Sequence, residues 1–197
     1  LGSTFKVFTA AQAIEERLVN PSTMLDTDGP MKWGRHTIRD FRDYGDELTV
    51  EDVIVKSSNI GTARMALMIG AERQQNFLKS LGFFETTALQ MPEAQLADPL
   101  LPKRWSEIVT MTVSYGHGLS ASPMHLAAAY ATIAGGGTKV APTLVQRDGY
   151  APGERVISED TSRIMRDFLR QVVVRGTASF GEVPGYNAGG KTGTADK

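Results

Sequence analysis

The 197-residue chain contains no cysteine, which excludes disulfides and thiolate-ligated metals but leaves the compartment open. It has no excess of either charge: 21 Lys and Arg stand against 22 Asp and Glu, a net charge of −1. That removes the basic footprint expected of a nucleic-acid partner and the cationic patch of a membrane-surface binder. No apolar run approaches the roughly 20 residues that cross a bilayer as a helix. The three histidines, His36, His117 and His125, lack metal-ligand spacing and are predicted to be structural or surface residues. Gly135-Gly136-Gly137 lacks the strand before it and the Lys-Ser/Thr after it that a phosphate loop requires, so it is predicted to stop a helix. What remains is an ordinary globular composition, 41% hydrophobic and 22% charged, long enough for one domain with a core or a large piece of one.

Hydrophobic spacing predicts a helix-rich chain. Val7, Ala11, Ile14 and Leu18 recur at helical intervals, predicting a helix over 3–19 that Asn20-Pro21 ends. Residues 21–48 are polar and turn-rich and are predicted to be loop or short irregular strands. Thr49 with Asp52 approximates a capping box for a short helix over 50–56. Ser57-Ser58-Asn59 then falls at a junction with a second helix, 60–69, stopped by Gly70. Further helices are predicted over 71–81, 106–114, 123–134 and 158–174, with an extended loop over 83–104. Ser122-Pro123 opens the third of these helices as N-cap and first residue, and His125 in its first turn is predicted to be packed. Val140–Arg147 is predicted to be an edge strand, and Tyr186–Ala195 a strand whose glycines permit close approach of another chain. Met65, Met68, Phe83 and Phe84 are predicted to lie in the core.

Three short motifs occur in order: Ser3-Thr4-Phe5-Lys6, Ser57-Ser58-Asn59 and Lys191-Thr192-Gly193-Thr194. Each has an ordinary reading, respectively an N-cap followed by a solvated lysine, a helix-breaking turn and a surface turn. A chain this long should carry about one S-x-x-K and roughly half an S-x-N by accident, but a K-T-G in only roughly a few chains per hundred. Their co-occurrence outweighs the ordinary readings.

The chemistry they offer is nucleophilic. Ser3 and Lys6, three apart on a helix, share a face within hydrogen-bonding reach. A lysine acts as a base for a serine only when burial or a neighbouring cation depresses its pKa. Ser3 at the helix start also brings a backbone N–H and the positive dipole end to developing negative charge. Ser57 supplies a hydroxyl that can pass a proton to a leaving amine. Asn59 supplies an amide that can hold a substrate carbonyl and brace Lys6. A strand bearing Lys191, Thr192, Gly193 and Thr194 could pair with a peptide and hold its terminal carboxylate.

With Tyr115-Gly116-His117-Gly118-Leu119 and the Ser122-Pro123 helix between these motifs, the chain resembles the transpeptidase domain of penicillin-binding proteins, class B, division-specific type. The resemblance covers essentially all 197 residues. It implies an α+β fold of the serine β-lactamase and penicillin-binding kind, a helical lobe against a five-stranded antiparallel sheet flanked by helices. Because the presumed nucleophile is the third residue, residues 1–197 are expected to be a fragment of one such domain. Most strands would lie before residue 1 and after residue 197.

The resemblance further implies that Ser3 is the acylated nucleophile, Lys6 its base and Ser57 a proton shuttle. Asn59 would bind the substrate amide, and Lys191, Thr192, Gly193 and Thr194 would form the carboxylate-binding strand. The N–H groups of Ser3 and Thr194 would form the oxyanion hole. No metal or cofactor is implied. The expected substrates are peptidoglycan stem peptides ending in D-Ala-D-Ala, with β-lactams as covalent inhibitors. The expected partners are membrane proteins of cell division and glycosyl transfer, with no nucleic acid. The expected place is the periplasmic face of the inner membrane, with any anchor outside these residues. A serine β-lactamase, a D,D-carboxypeptidase and a β-lactam-sensing receptor domain share the motifs and stay open at this point. Against the first, this chain has Ser-Ser-Asn where class A β-lactamases have Ser-Asp-Asn, and it shows no recognisable deacylating glutamate.

Overall fold

The first helix lies deepest in the molecule. A computed structural model, which describes residues 1–96, 98–146, 149 and 153–194, has a 3-10 turn at Gly2–Phe5 running directly into α1, Lys6–Glu15. Residues 6–14 of α1 are all buried, lysine and glutamine included, so its small alanines let neighbours approach on every side. The helix stops short of the predicted Val19. Arg17 takes a left-handed φ of 56°, and the Leu18 N–H donates to the Ala13 carbonyl at 2.9 Å, a closure that turns Val19 back into the core.

The polar stretch that follows forms four three-residue strands. β1 (Met24–Asp26) pairs antiparallel with β4 (Glu47–Thr49), and β2 (Met31–Trp33) with β3 (His36–Ile38). One side of each ribbon is apolar: Leu25, Leu48, Met31 and Ile38 are buried, as period-2 alternation requires. α2 (Val50–Lys56) begins where predicted, Thr49 Oγ1 accepting from the Asp52 N–H at 3.1 Å. α3 (Asn59–Ile69), α4 (Ala71–Ser80), α5 (Glu107–Ser114), α6 (Pro123–Ala134) and α7 (Glu159–Arg175) complete the helices among the described residues. α1 packs against α2, α3, α4, α5 and α7.

Four expectations need correction. Residues 140–146 form no strand, and Arg147 lies outside the described residues. The Val140 N–H donates to Thr132 Oγ1 at 3.1 Å instead of to a ladder, and only the isolated bridge Thr138–Arg155 remains. Residues 186–194 also form no strand, and Ala195 lies outside the described residues. The loop over 83–104 is more ordered than predicted, with a 3-10 turn at Pro92–Leu96 and a bridge from Leu100 to Ser120. Met68 faces solvent, whereas Met65 is buried.

Aromatic packing fixes α1 sideways. Phe5, Phe8 and Phe83 meet edge to face with centroids 5.0 to 5.3 Å apart, and Tyr130 of α6 adds a fourth ring 5.4 Å from Phe8. Tyr130 also donates to the Thr4 carbonyl at 2.7 Å, tying the 3-10 turn to α6. At the other end, Glu15 Oε2 accepts from the Ser158 N–H at 3.0 Å, Ser158 Oγ at 2.8 Å and Thr161 Oγ1 at 2.5 Å. The last residue of α1 thus caps the first turn of α7. Partial burial raises the Glu15 pKa, but the Thr161 and Ser158 hydrogen bonds outweigh it and leave the carboxyl below its ordinary range.

Glu15→Ala should therefore destabilise folding by about 1–2 kcal/mol in urea titration. The Glu15 contribution is present above the ordinary glutamate pKa and is lost as pH falls through the depressed folded value. The gap between wild type and E15A should accordingly close on acidification, and a gap that widens in acid would refute this account.

Candidate active site

The turn between α2 and α3 places a serine where two lysines can reach it. α2 ends at Ser57, whose φ of 65° is left-handed, an uncommon state for a non-glycine residue. The reversal lets the Ser58 N–H close on the Val53 carbonyl at 2.9 Å, while Ser58 Oγ caps α3 by accepting from the Gly61 N–H at 2.9 Å. Lys6, almost wholly buried (1% exposed), donates from Nζ to the Ser57 carbonyl at 2.5 Å and to Ser57 Oγ at 3.1 Å. Lys191 Nζ donates to the same Oγ at 2.8 Å. That hydroxyl oxygen is therefore shared between the two lysines.

Electrostatics follow from this crowding. Burial, and then the like charge of Lys191, push the Lys6 pKa down to about 7, against a smaller upward pull from Asp40. Burial pushes Lys191 down to about 8. Two ammonium groups on one hydroxyl disfavour double protonation, and Lys6, the deeper group, gives up its proton first.

The Lys191 segment is held against α7 without being a strand. The Gly190 N–H donates to the Leu169 carbonyl at 3.1 Å. Arg170 forks onto Glu182 at 2.7 and 3.0 Å and reaches the Ala188 carbonyl at 2.9 Å. Thr192 Oγ1 lies 2.7 Å from Thr177 Oγ1. Main chain then stacks directly on main chain. A Cβ on Gly2 would lie 2.2 Å from the Thr194 oxygen, and one on Gly116 would lie 2.1 Å from the Gly2 oxygen. The Gly2 N–H donates to the Gly116 carbonyl at 3.2 Å. Residues 116, 2 and 194 thus form three layers beneath Ser3, which explains the left-handed glycines at 2 and 116.

The structure brings together Ser3, Lys6, Ser57, Lys191, Thr192, Gly193 and Thr194: Gly193 packs on Thr4, one residue from Ser3. Two details differ from expectation. Among the described residues Ser3 Oγ makes no hydrogen bond, because Lys6 turns to Ser57. Asn59 does not brace Lys6; its Nδ2 donates to the Arg39 carbonyl at 2.8 Å. Sequence analysis missed Asp40, which accepts from Ser58 Oγ at 2.6 Å and from the N–H groups of Asn59 and Ile60. It also missed Arg170 and Tyr130. None of the three belongs to a local pattern, since each acts on a segment far away in sequence. Of the histidines, His125 is buried between Ser122 and the Glu85 carbonyl, as expected, and His117 lies against Tyr115 with the rings tilted at 60°. Among the described residues no group of three His, Asp or Glu could hold a metal ion, and no helix is long and apolar enough to cross a membrane.

Residues 1–197 match the family model for the penicillin binding protein transpeptidase domain. The chain is 36% identical over its full length to a probable peptidoglycan D,D-transpeptidase FtsI from Caulobacter vibrioides. It is 32% identical to the peptidoglycan D,D-transpeptidase FtsI of Escherichia coli. It spans about a third of those relatives, 34% and 33% of their lengths. Among solved structures, the apo transpeptidase domain of penicillin-binding protein 3 from Burkholderia pseudomallei superimposes with a TM-score of 0.92 at 37% identity, covering all of this chain and 60% of that one.

The backbone stack makes a sharp contrast testable. Gly116→Ala must push Gly2 aside and should cost more than about 3 kcal/mol or abolish folding. Gly118→Ala meets nothing closer than 3.6 Å and suffers only left-handed strain, about 1–2 kcal/mol. Equal losses in thermal unfolding would refute the stacked arrangement.

Proposed function

The chain belongs to the penicillin-binding protein transpeptidase domain family, and on that premise we propose that it carries the acylating site of a peptidoglycan D,D-transpeptidase of the division-specific kind. One observation carries the proposal: a buried lysine with its pKa pushed down to about 7 lies one turn from Ser3 and shares Ser57 Oγ with Lys191.

In this mechanism neutral Lys6 takes the Ser3 proton as Ser3 Oγ adds to the carbonyl of the penultimate D-Ala. The N–H groups of Ser3 and Thr194 stabilise the oxyanion. The C–N bond then breaks, and Ser57 gives its proton to the leaving D-Ala amine while its Oγ takes one from the protonated Lys6 that donates to it. Lys191, Thr192, Gly193 and Thr194 hold the terminal carboxylate, and Asn59 the stem amide. An amine of a neighbouring stem attacks the Ser3 ester, forming the cross-link and restoring the Ser3 hydroxyl. β-Lactams would stop at the ester.

The site favours a long-lived ester. Asp40, the carboxylate that acts on Lys6, accepts three hydrogen bonds and is therefore poorly placed to activate water. This supports the transpeptidase over a β-lactamase. The proposal extends to a periplasmic domain at the inner membrane, working with division and glycosyl-transfer proteins. It also has the strands beside residues 191–194 supplied by sequence outside 1–197. Exposed Phe180, Val183 and Tyr186 support that last point, since they offer apolar surface on the Lys191 side of α7.

In the full-length protein, fluorescent penicillin should label Ser3 covalently and persist for many minutes. Ser3→Ala and Lys6→Ala should abolish labelling, and rapid turnover of a chromogenic cephalosporin would overturn the transpeptidase reading. The acylation rate should rise through about pH 7 as Lys6 loses its proton. Lys191→Ala removes a like charge, raises the Lys6 pKa and should move that rise to higher pH. Stopped-flow acylation across pH checks the sign.

A further inference from the structure

Asp40, two residues beyond β3, gathers three donors from one turn: Ser58 Oγ at 2.6 Å, the Ile60 N–H at 3.1 Å and the Asn59 N–H at short range. Its neighbour Arg39 accepts the Asn59 side-chain amide through its carbonyl at 2.8 Å. The held residues, 58–60, directly follow Ser57, whose left-handed backbone is strained and persists only if its surroundings enforce it. The end of α2 restrains that turn from one side, through the Ser57 and Ser58 N–H groups on the Ile54 and Val53 carbonyls. Asp40 restrains it from the other. A serine at position 40 could supply one or two of these contacts and a neutral amide all three, but only a carboxylate makes them charge-assisted.

We infer that Asp40 is the positioning residue of this site: it clamps the Ser57–Asn59 turn so that Ser57 Oγ meets Lys6 and Lys191 while the Asn59 side chain is held on the Arg39 carbonyl. The inference rests on the transpeptidase reading and deepens it. Ser58, the unassigned middle residue of the motif, becomes the link: its hydroxyl donates to Asp40 and accepts from the Gly61 N–H. The clamp also carries charge. On the site side Asp40 acts on Lys6, pulling its pKa up while burial and Lys191 push it down. On its other side Asp40 lines a cleft with Arg39, Arg42, Asp28 and Asp43, two cations and two anions.

Two substitutions in the full-length protein separate geometry from charge. Asp40→Asn keeps an acceptor oxygen for the two backbone amides and can donate to Ser58 Oγ; Asp40→Ala keeps neither. D40A should lower the second-order rate of acylation by fluorescent penicillin roughly ten- to a hundredfold, the scale of a misplaced catalytic group. D40N should recover most of that loss. It should also move the rise of acylation with pH to lower pH, because Lys6 loses the anion that favours its ammonium form. A carboxylate that merely caps α3 would lower the melting temperature in both variants and leave the pH profile in place, and that result overturns the inference. D40A acylating at the wild-type rate overturns it too, while leaving the transpeptidase reading intact. If D40A does not fold, the D40N profile decides. Failure of wild type to be acylated at Ser3 removes both readings together.

Discussion

One hydroxyl organises this site. Ser57 Oγ accepts from Lys6 at 3.1 Å and from Lys191 at 2.8 Å, and those lysines come from opposite ends of the chain. Holding two ammonium groups around one neutral oxygen is unfavourable unless one of them is neutral. The fold enforces the meeting by burying Lys6 in its most enclosed helix and by pinning the Lys191 segment to α7. The strained left-handed backbone at Ser57 is the other half of this arrangement. Without it the hydroxyl would continue along the face of α2 and miss both partners.

Much of this was legible in the sequence because it is local. Helix caps and stops depend on residues three or four apart, so Thr49, Ser122 with Pro123 and the glycine at 70 marked their boundaries well. The motif serines and lysines were legible for a different reason: their residue types are constrained by reaction chemistry, and their order along the chain is improbable by accident. Residues 140–146 are not the edge strand expected, and residues 186–194 find no partner strand among the described residues, because a residue's fitness for a sheet is not pairing. Pairing needs a partner edge, and Val140 found a threonine hydroxyl instead. The end of α1 was misjudged because Arg17 adopts a left-handed turn that no glycine or asparagine announces.

Asp40, Arg170 and Tyr130 were not legible at all. Each is an ordinary residue in an ordinary local setting, and its importance lies entirely in what it touches. Arg170 ties residues 182 and 188 to α7, Tyr130 ties Thr4 to α6, and Asp40 ties the α2–α3 turn to the ribbon before it. They are the struts between motif-bearing segments, and pattern analysis has no access to struts.

The layered backbone beneath Ser3 bears on how this protein can evolve. Residues 116, 2 and 194 touch through main-chain atoms, with no side chain between them, so a side chain added at Gly2 or Gly116 collides with a backbone carbonyl. Those two glycine positions are therefore closed to gradual remodelling. Substitutions are tolerated more readily around that stack, and in the struts, than at its glycines. There they can change how the Ser57 turn is held without disturbing the stacked backbone.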